Sequence, residues 1–176
     1  YRFNDAAKEI YRFTKNIFCD WYLEFIKISL KNNTNKVIIN EIKFCTKVVF
    51  ESILKLLHPF IPFVTEDIYT NHLEKKQFIM KENWPDEIIF NYKSVCFENI
   101  ENLKLVITIC RNMKSKLKIP PRNIINLFYI VNNREDIIFF KEYQNYINSL
   151  GRVIVKRIHS SNNIDKEDNY LKFIKQ

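Results

Sequence analysis

Across the first 57 residues, apolar side chains recur at steps of three and four, and prolines at 59 and 62 then break the pattern. That stepping is the period of one helix face, so this stretch folds as amphipathic helices whose apolar sides need a partner. Over residues 4–29 the stripe is Phe3, Ala7, Ile10, Thr14, Ile17, Trp21, Phe25 and Ile28. Asn4 is the expected N-cap, with Asp5 in the first turn, where the helix dipole favours an acid. The polar run Lys31-Asn32-Asn33-Thr34-Asn35 ends this helix. A second helix is predicted over 36–57, with Ile38, Ile42, Cys45, Val49, Ser52 and Leu56 inward and Glu51 paired with Lys55 outside. The residue before Pro59 is pushed out of the α region, which stops the helix. Pro62 then opens a third, over 62–73, at the first position, where its missing N–H costs nothing. Phe78-Ile79-Met80 and Trp84-Pro85 are expected to cross the bundle and dock by their aromatics.

A fourth helix is predicted over 97–117, with Ile100, Leu103, Ile107, Cys110 and Leu117 inward, ending before Pro120-Pro121. The pattern then changes. Residues 124–131 are β-branched and aromatic, a strand pattern, and Val153-Ile154-Val155-Lys156-Arg157-Ile158 reads as a second strand. Between them, residues 134–150 carry a helical stripe of Ile137, Phe140, Tyr143 and Ile147, with Gly151 as its cap. Residues 160–168 read as a polar loop. The expected fold is mainly α: a helical bundle of about four helices over residues 1–122, with a small C-terminal α/β appendix over 123–176.

Composition narrows the chemistry. Gly151 is the single glycine of 176 residues, which excludes Gly-rich phosphate loops, whose tight turns need positive φ. Cys19, Cys45, Cys96 and Cys110 show no CxxC spacing and read as small buried hydrophobes in a reducing compartment. His58, His72 and His159 have no partner at ligand spacing, so no metal site is expected. No apolar run is long enough to span a bilayer and no signal peptide opens the chain, so a cytoplasmic location is expected. Tyr1 in place of an initiator Met gives the look of a piece of a longer protein.

Charge is unevenly placed. Residues 1–99 hold 14 Lys and Arg against 13 Asp and Glu, whereas residues 100–176 hold 14 against 7. A basic excess confined to one half points to a polyanionic partner. It concentrates in residues 111–122, which hold Arg111, Lys114, Lys116, Lys118 and Arg122 and no acid. Helical placement puts Arg111, Lys114 and Lys118 on one stripe, able to follow phosphates and release counterions. Dipole complementation at a helix end explains one or two such charges, not five. Arg111, Lys114, Lys118 and Arg122 are therefore the candidate residues for binding a polyanion, nucleic acid or an acidic membrane surface, and they become RNA-binding candidates through the family resemblance given next. No catalytic residue is assigned. Asp20 and Glu24 read as solvated acids beside Lys27, and His58 as a C-terminal partner for exposed helix carbonyls. Trp21 falls on the inward stripe.

Phe18-Cys19-Asp20-Trp21-Tyr22-Leu23-Glu24, followed by His58-Pro59-Phe60-Ile61-Pro62-Phe63-Val64-Thr65-Glu66, resembles the anticodon-binding domain of valyl-tRNA synthetases. Residues 111–122 are similar to that family's Ile-Arg-x-x-Arg-x-Glu-x-x-Ile-Pro region, with Lys114 where a second Arg is usual and Lys116 replacing an acid. The resemblance implies a tRNA-gripping domain, with valine-acceptor tRNA as partner and neither membrane nor DNA. It also implies a monomeric parent enzyme that uses ATP and Mg²⁺ elsewhere, and no cofactor in this piece. Met113-Lys114-Ser115-Lys116 only looks like a scrambled class I catalytic loop, and the His-Ile-Gly-His signature is absent. Two other readings stand beside this one: the same domain of an isoleucyl or leucyl enzyme, and a helical protein-interaction module with a basic face. The Asp20-to-Glu24 run counts against the first.

Overall fold

Asn35 turns the chain. Its side-chain oxygen accepts from the Val37 N–H at 2.9 Å, which starts a 22-residue helix directly after a polar break. In this computed structural model, residues 2–73, 76–86, 94–131 and 134–160 are described. They fall into two units, Tyr1–Asn91 and Tyr92–Gln176, so residue 122, the expected boundary, lies inside the second.

The first unit begins with α1 (Phe3–Arg12), continues through wide π turns over Phe13–Tyr22, and ends its first arm in α2 (Leu23–Asn32). Asn4 lies within α1. The cap position is Arg2, whose carbonyl accepts from the Asp5 and Ala6 N–H groups. Bonding from i to i+5 turns the chain less per residue than an α-helix does, so the apolar stripe slips round. Phe18, 4% exposed, takes the inward place expected of Ile17, which is 40% exposed. Trp21 is half-buried, against Phe25 at 5.8 Å. Within the same π stretch the Thr14 hydroxyl is buried without a hydrogen-bond partner.

Helix α3 (Lys36–Leu57) runs back along this arm. Phe18 stacks on Phe50 at 6.1 Å, and the Tyr22 hydroxyl lies 3.3 Å from Thr46 Oγ1. The buried residues of α3 are Ile53 and Leu54; Ile38 and Cys45, expected inward, are exposed, as is Cys19. Burial reaches Cys110, whereas the Cys96 side chain lies outside the described residues. Pro62 opens α4 (Pro62–Asp67), which continues as π turns over Ile68–His72. The crossing segment docks by Ile79, not by its aromatics: Ile79 packs with Leu54 and Tyr69, while Phe78 and Trp84 are exposed. Lys55 reaches Glu82 at 3.4 Å.

His58 does not cap its own helix with its ring. Its Nδ1 meets the buried Thr65 hydroxyl at 2.8 Å, across the Pro59–Pro62 turn, and that oxygen also lies 3.0 Å from the Ile61 carbonyl. Glu66 accepts from the Ile79 N–H. The His-Pro-Phe-Ile-Pro-Phe-Val-Thr-Glu string is thus a joint between α3, α4 and the crossing segment.

The second unit comprises α5 (Ser94–Lys116), β1 (Ile125–Val131), α6 (Arg134–Glu142), α7 (Gln144–Gly151) and β2 (Val153–Ser160). The expected single helix breaks at Tyr143, where ψ is 8°. β1 and β2 pair in parallel, Ile125 opposite Val153, with a register shift after Leu127. A parallel pair needs a crossover, which α6 and α7 supply. Leu103, Ile107 and Cys110 of α5 form the core with Ile147 and Val153. The rest of the polar loop, residues 161–168, lies outside the described residues.

Candidate nucleic-acid interface

The core stripe of α5 steps from Leu103 to Ile107, Cys110 and Lys114, by four, three and four. Lys114 therefore lies on the apolar face, 4% exposed, and not on the solvent stripe expected for it. Its ammonium donates to the Asn123 carbonyl at 2.7 Å and to the Arg152 carbonyl at 2.6 Å. A buried ammonium without such acceptors would be strongly disfavoured. Burial pushes its pKa below the usual 10.5, with the charge of Arg152 acting in the same direction. Lys114 ties the end of α5 to the starts of both strands, and that correction removes it from the residues able to reach a ligand phosphate.

The other three candidates are exposed and converge. Arg111 donates from Nε to the Leu150 carbonyl at 3.2 Å, which satisfies an acceptor in the last turn of α7. Lys118 ends α5. Its N–H donates to the Ser115 carbonyl and the Ile119 N–H to the Lys114 carbonyl, a Schellman pattern that places Lys118 in the left-handed region at φ 53°. Arg122 sits in the next turn, closed by the Asn123 N–H on the Pro120 carbonyl.

Arg152 joins them, and sequence reasoning missed it. It caps α7 at φ 52°, donating its N–H to the Asn148 carbonyl. Gly151, expected as the cap, is instead the last helical residue, buried where a Cβ would meet Cys110 Cβ at 3.4 Å. A left-handed L residue costs about 1–2 kcal/mol. No period in the sequence marks Arg152. What brings it beside Arg111 is the packing of α7 on α5 through Gly151 and Cys110. The only local hint is a cation directly after a predicted helix end.

Together Arg111, Lys114, Lys118, Arg122 and Arg152 line a cleft of about 570 Å³, with no carboxylate among its described lining residues. Four exposed cations at one concavity suit a chain of phosphates. By contrast, Glu24 is committed to Lys27, and no cluster of three or more His, Cys, Asp or Glu able to hold a metal occurs among the described residues. Met113-Lys114-Ser115-Lys116 is plain helix within α5. Among the same residues, no helix is long and apolar enough to cross a membrane.

Fold and cleft define a mainly helical domain with a basic concavity suited to a polyanion. The family model described as the anticodon-binding domain of tRNA ligase matches residues 1–128, and the chain belongs to that family. Among its relatives, the valine–tRNA ligase of Borreliella burgdorferi is 38% identical over 172 residues, which is 97% of this chain and 18% of that protein. That of Pelagibacter ubique is 35% identical over 87% of this chain and 18% of its own length. That of Coxiella burnetii is 32% identical over 87% and 17%. The chain thus spans under a fifth of the length of these relatives.

Proposed function

We propose that this chain is the part of a valine–tRNA ligase that grips the anticodon arm of valine-acceptor tRNA. The observation that carries the reading is the cleft of Arg111, Lys118, Arg122 and Arg152, with no carboxylate among its described lining residues, in a chain of the anticodon-binding family. Arg111, Lys118 and Arg122 act on phosphates and so position the RNA, whereas discrimination among tRNAs comes from contacts to bases. Lys114 holds the scaffold. The longer enzyme, a cytoplasmic monomer, joins valine to tRNA with ATP and Mg²⁺ serving parts of it outside this chain. The relatives support valine over isoleucine or leucine, since those quoted are all valine–tRNA ligases.

Filter binding of purified valine-, isoleucine- and leucine-acceptor tRNAs to the chain tests this. The valine acceptor is expected to bind tightest. Equal retention of all three would show that this part carries no valine specificity.

A further inference from the structure

Among the described residues, the non-glycine positions with positive φ are Lys118 and Arg152, and both line the same cleft. Each ends a helix at a left-handed position where glycine or asparagine is the usual occupant. The chain places its one glycine immediately beside Arg152, at a helical position that does not require positive φ. Relaxed caps were therefore available to this fold, yet cations stand at both. A strained backbone at a concave surface is a reason to look for a ligand.

We infer that Lys118 and Arg152 form a paired grip for a phosphodiester group of RNA. This deepens the proposed function and rests on it. Two features support the pairing. The backbone under each cation is fixed: the Lys118 N–H is spent on Ser115, and the Arg152 N–H and carbonyl are spent on Asn148 and on the Lys114 ammonium. What each residue offers the cleft is its charged side chain, projecting from a held main chain, so less ordering is needed on binding. Lys114 adds positive charge to the cleft wall while two of its three donors are engaged by carbonyls, so the grip falls to Lys118 and Arg152. The guanidinium of Arg152 suits two phosphate oxygens at once, and the Lys118 ammonium adds a point charge.

The test uses Lys118→Gly, Arg152→Gly and the double variant of the 176-residue chain. Glycine suits both backbone positions, so melting temperatures are expected to stay level or rise. Two phosphate contacts account for about a tenfold change in affinity over a fourfold change of salt. The double variant is expected to bind tRNA more weakly at 50 mM salt, and the advantage of the wild type over it is expected to shrink about tenfold between 50 and 200 mM. Unchanged affinity and slope would overturn the grip and leave tRNA binding standing. A lowered melting temperature would overturn the premise that glycine suits both caps. If the wild-type chain retains no tRNA, the functional reading fails and inorganic phosphate decides the grip. Amide shifts at Lys118 and Arg152 on titration with phosphate then support an anion site, and unshifted amides remove it.

Discussion

Lys114→Met keeps the length of a buried side chain and deletes its ammonium. Two opposed terms set the outcome. The variant loses two short hydrogen bonds, to the carbonyls of Asn123 and Arg152, each worth about 1.5–3 kcal/mol with a charged donor. It also escapes the cost of burying a charge, which is several kcal/mol in a protein interior. Both carbonyls belong to exposed residues, so water can partly replace the lost donor. The expected net effect is a destabilisation of about 1–3 kcal/mol, less than the ~3–5 kcal/mol of breaking a buried ion pair, because no charge is left behind. Urea unfolding at pH 7 should show a lower midpoint with an unchanged slope. A pH series sharpens the test. Because burial lowers the folded pKa of Lys114, the unfolded chain holds the extra proton in the window below 10.5. Stability therefore rises with pH across that window, and it falls as pH drops through the folded pKa. The variant lacks that rise, so its deficit should widen as pH approaches 10.5. A stability equal to or above that of the wild type, or a deficit that ignores pH, would refute the reasoning that the ammonium ties the strands to α5.

Thr65→Val fills the same space but leaves His58 Nδ1 facing a methyl group. A loss of about 1–3 kcal/mol in thermal or urea unfolding is expected, and a neutral result would mean that the His58–Thr65 contact does not hold the Pro59–Pro62 joint. Gly151→Ala places a Cβ at ordinary contact distance from Cys110 in a residue with helical backbone, so a gain of up to about 1 kcal/mol is expected. A clear loss in melting temperature would show that α7 and α5 cannot accept the methyl. Burial, helped by the charge of Glu82, pushes the Tyr69 hydroxyl up to about 12. Its raised pKa contributes stability that is complete below pH 10 and is lost as pH climbs toward 12. Tyr69→Phe should flatten that loss in alkaline unfolding curves, and an unchanged alkaline profile would contradict it.

The helical part of the fold was legible because its signals are local: three-and-four stepping, the polar break over residues 31–35 and the Pro59–Pro62 punctuation all lie within a few residues of what they specify. So was the strand–helix–strand order, from a change of period at residue 124. What the sequence hid was rotational phase. The π turns over Phe13–Tyr22 shift the stripe from Ile17 to Phe18, and no residue in that stretch announces the change of bonding. Lys114 was readable in principle, since it continues the Leu103-Ile107-Cys110 spacing. Its charge argued for solvent, and only the carbonyls of Asn123 and Arg152, distant in sequence, make its burial tolerable. Arg111, Lys118 and Arg122 stood out as candidates because they cluster in one segment. Arg152 was not, because its place at the cleft is made by tertiary packing.

The most direct test of the account is retention of valine-acceptor tRNA by this chain against heparin, followed from 50 to 200 mM salt. A heparin-resistant fraction is expected, since generic basicity would be competed away by another polyanion. Its affinity should fall steeply with salt, and the fall should be shallower when Arg111, Lys118 and Arg122 are all replaced by Ala, by about two to three in slope for three lost phosphate contacts. Complete displacement by heparin, or a triple variant that keeps the wild-type slope, would contradict the claim that this basic cleft is a tRNA-binding surface.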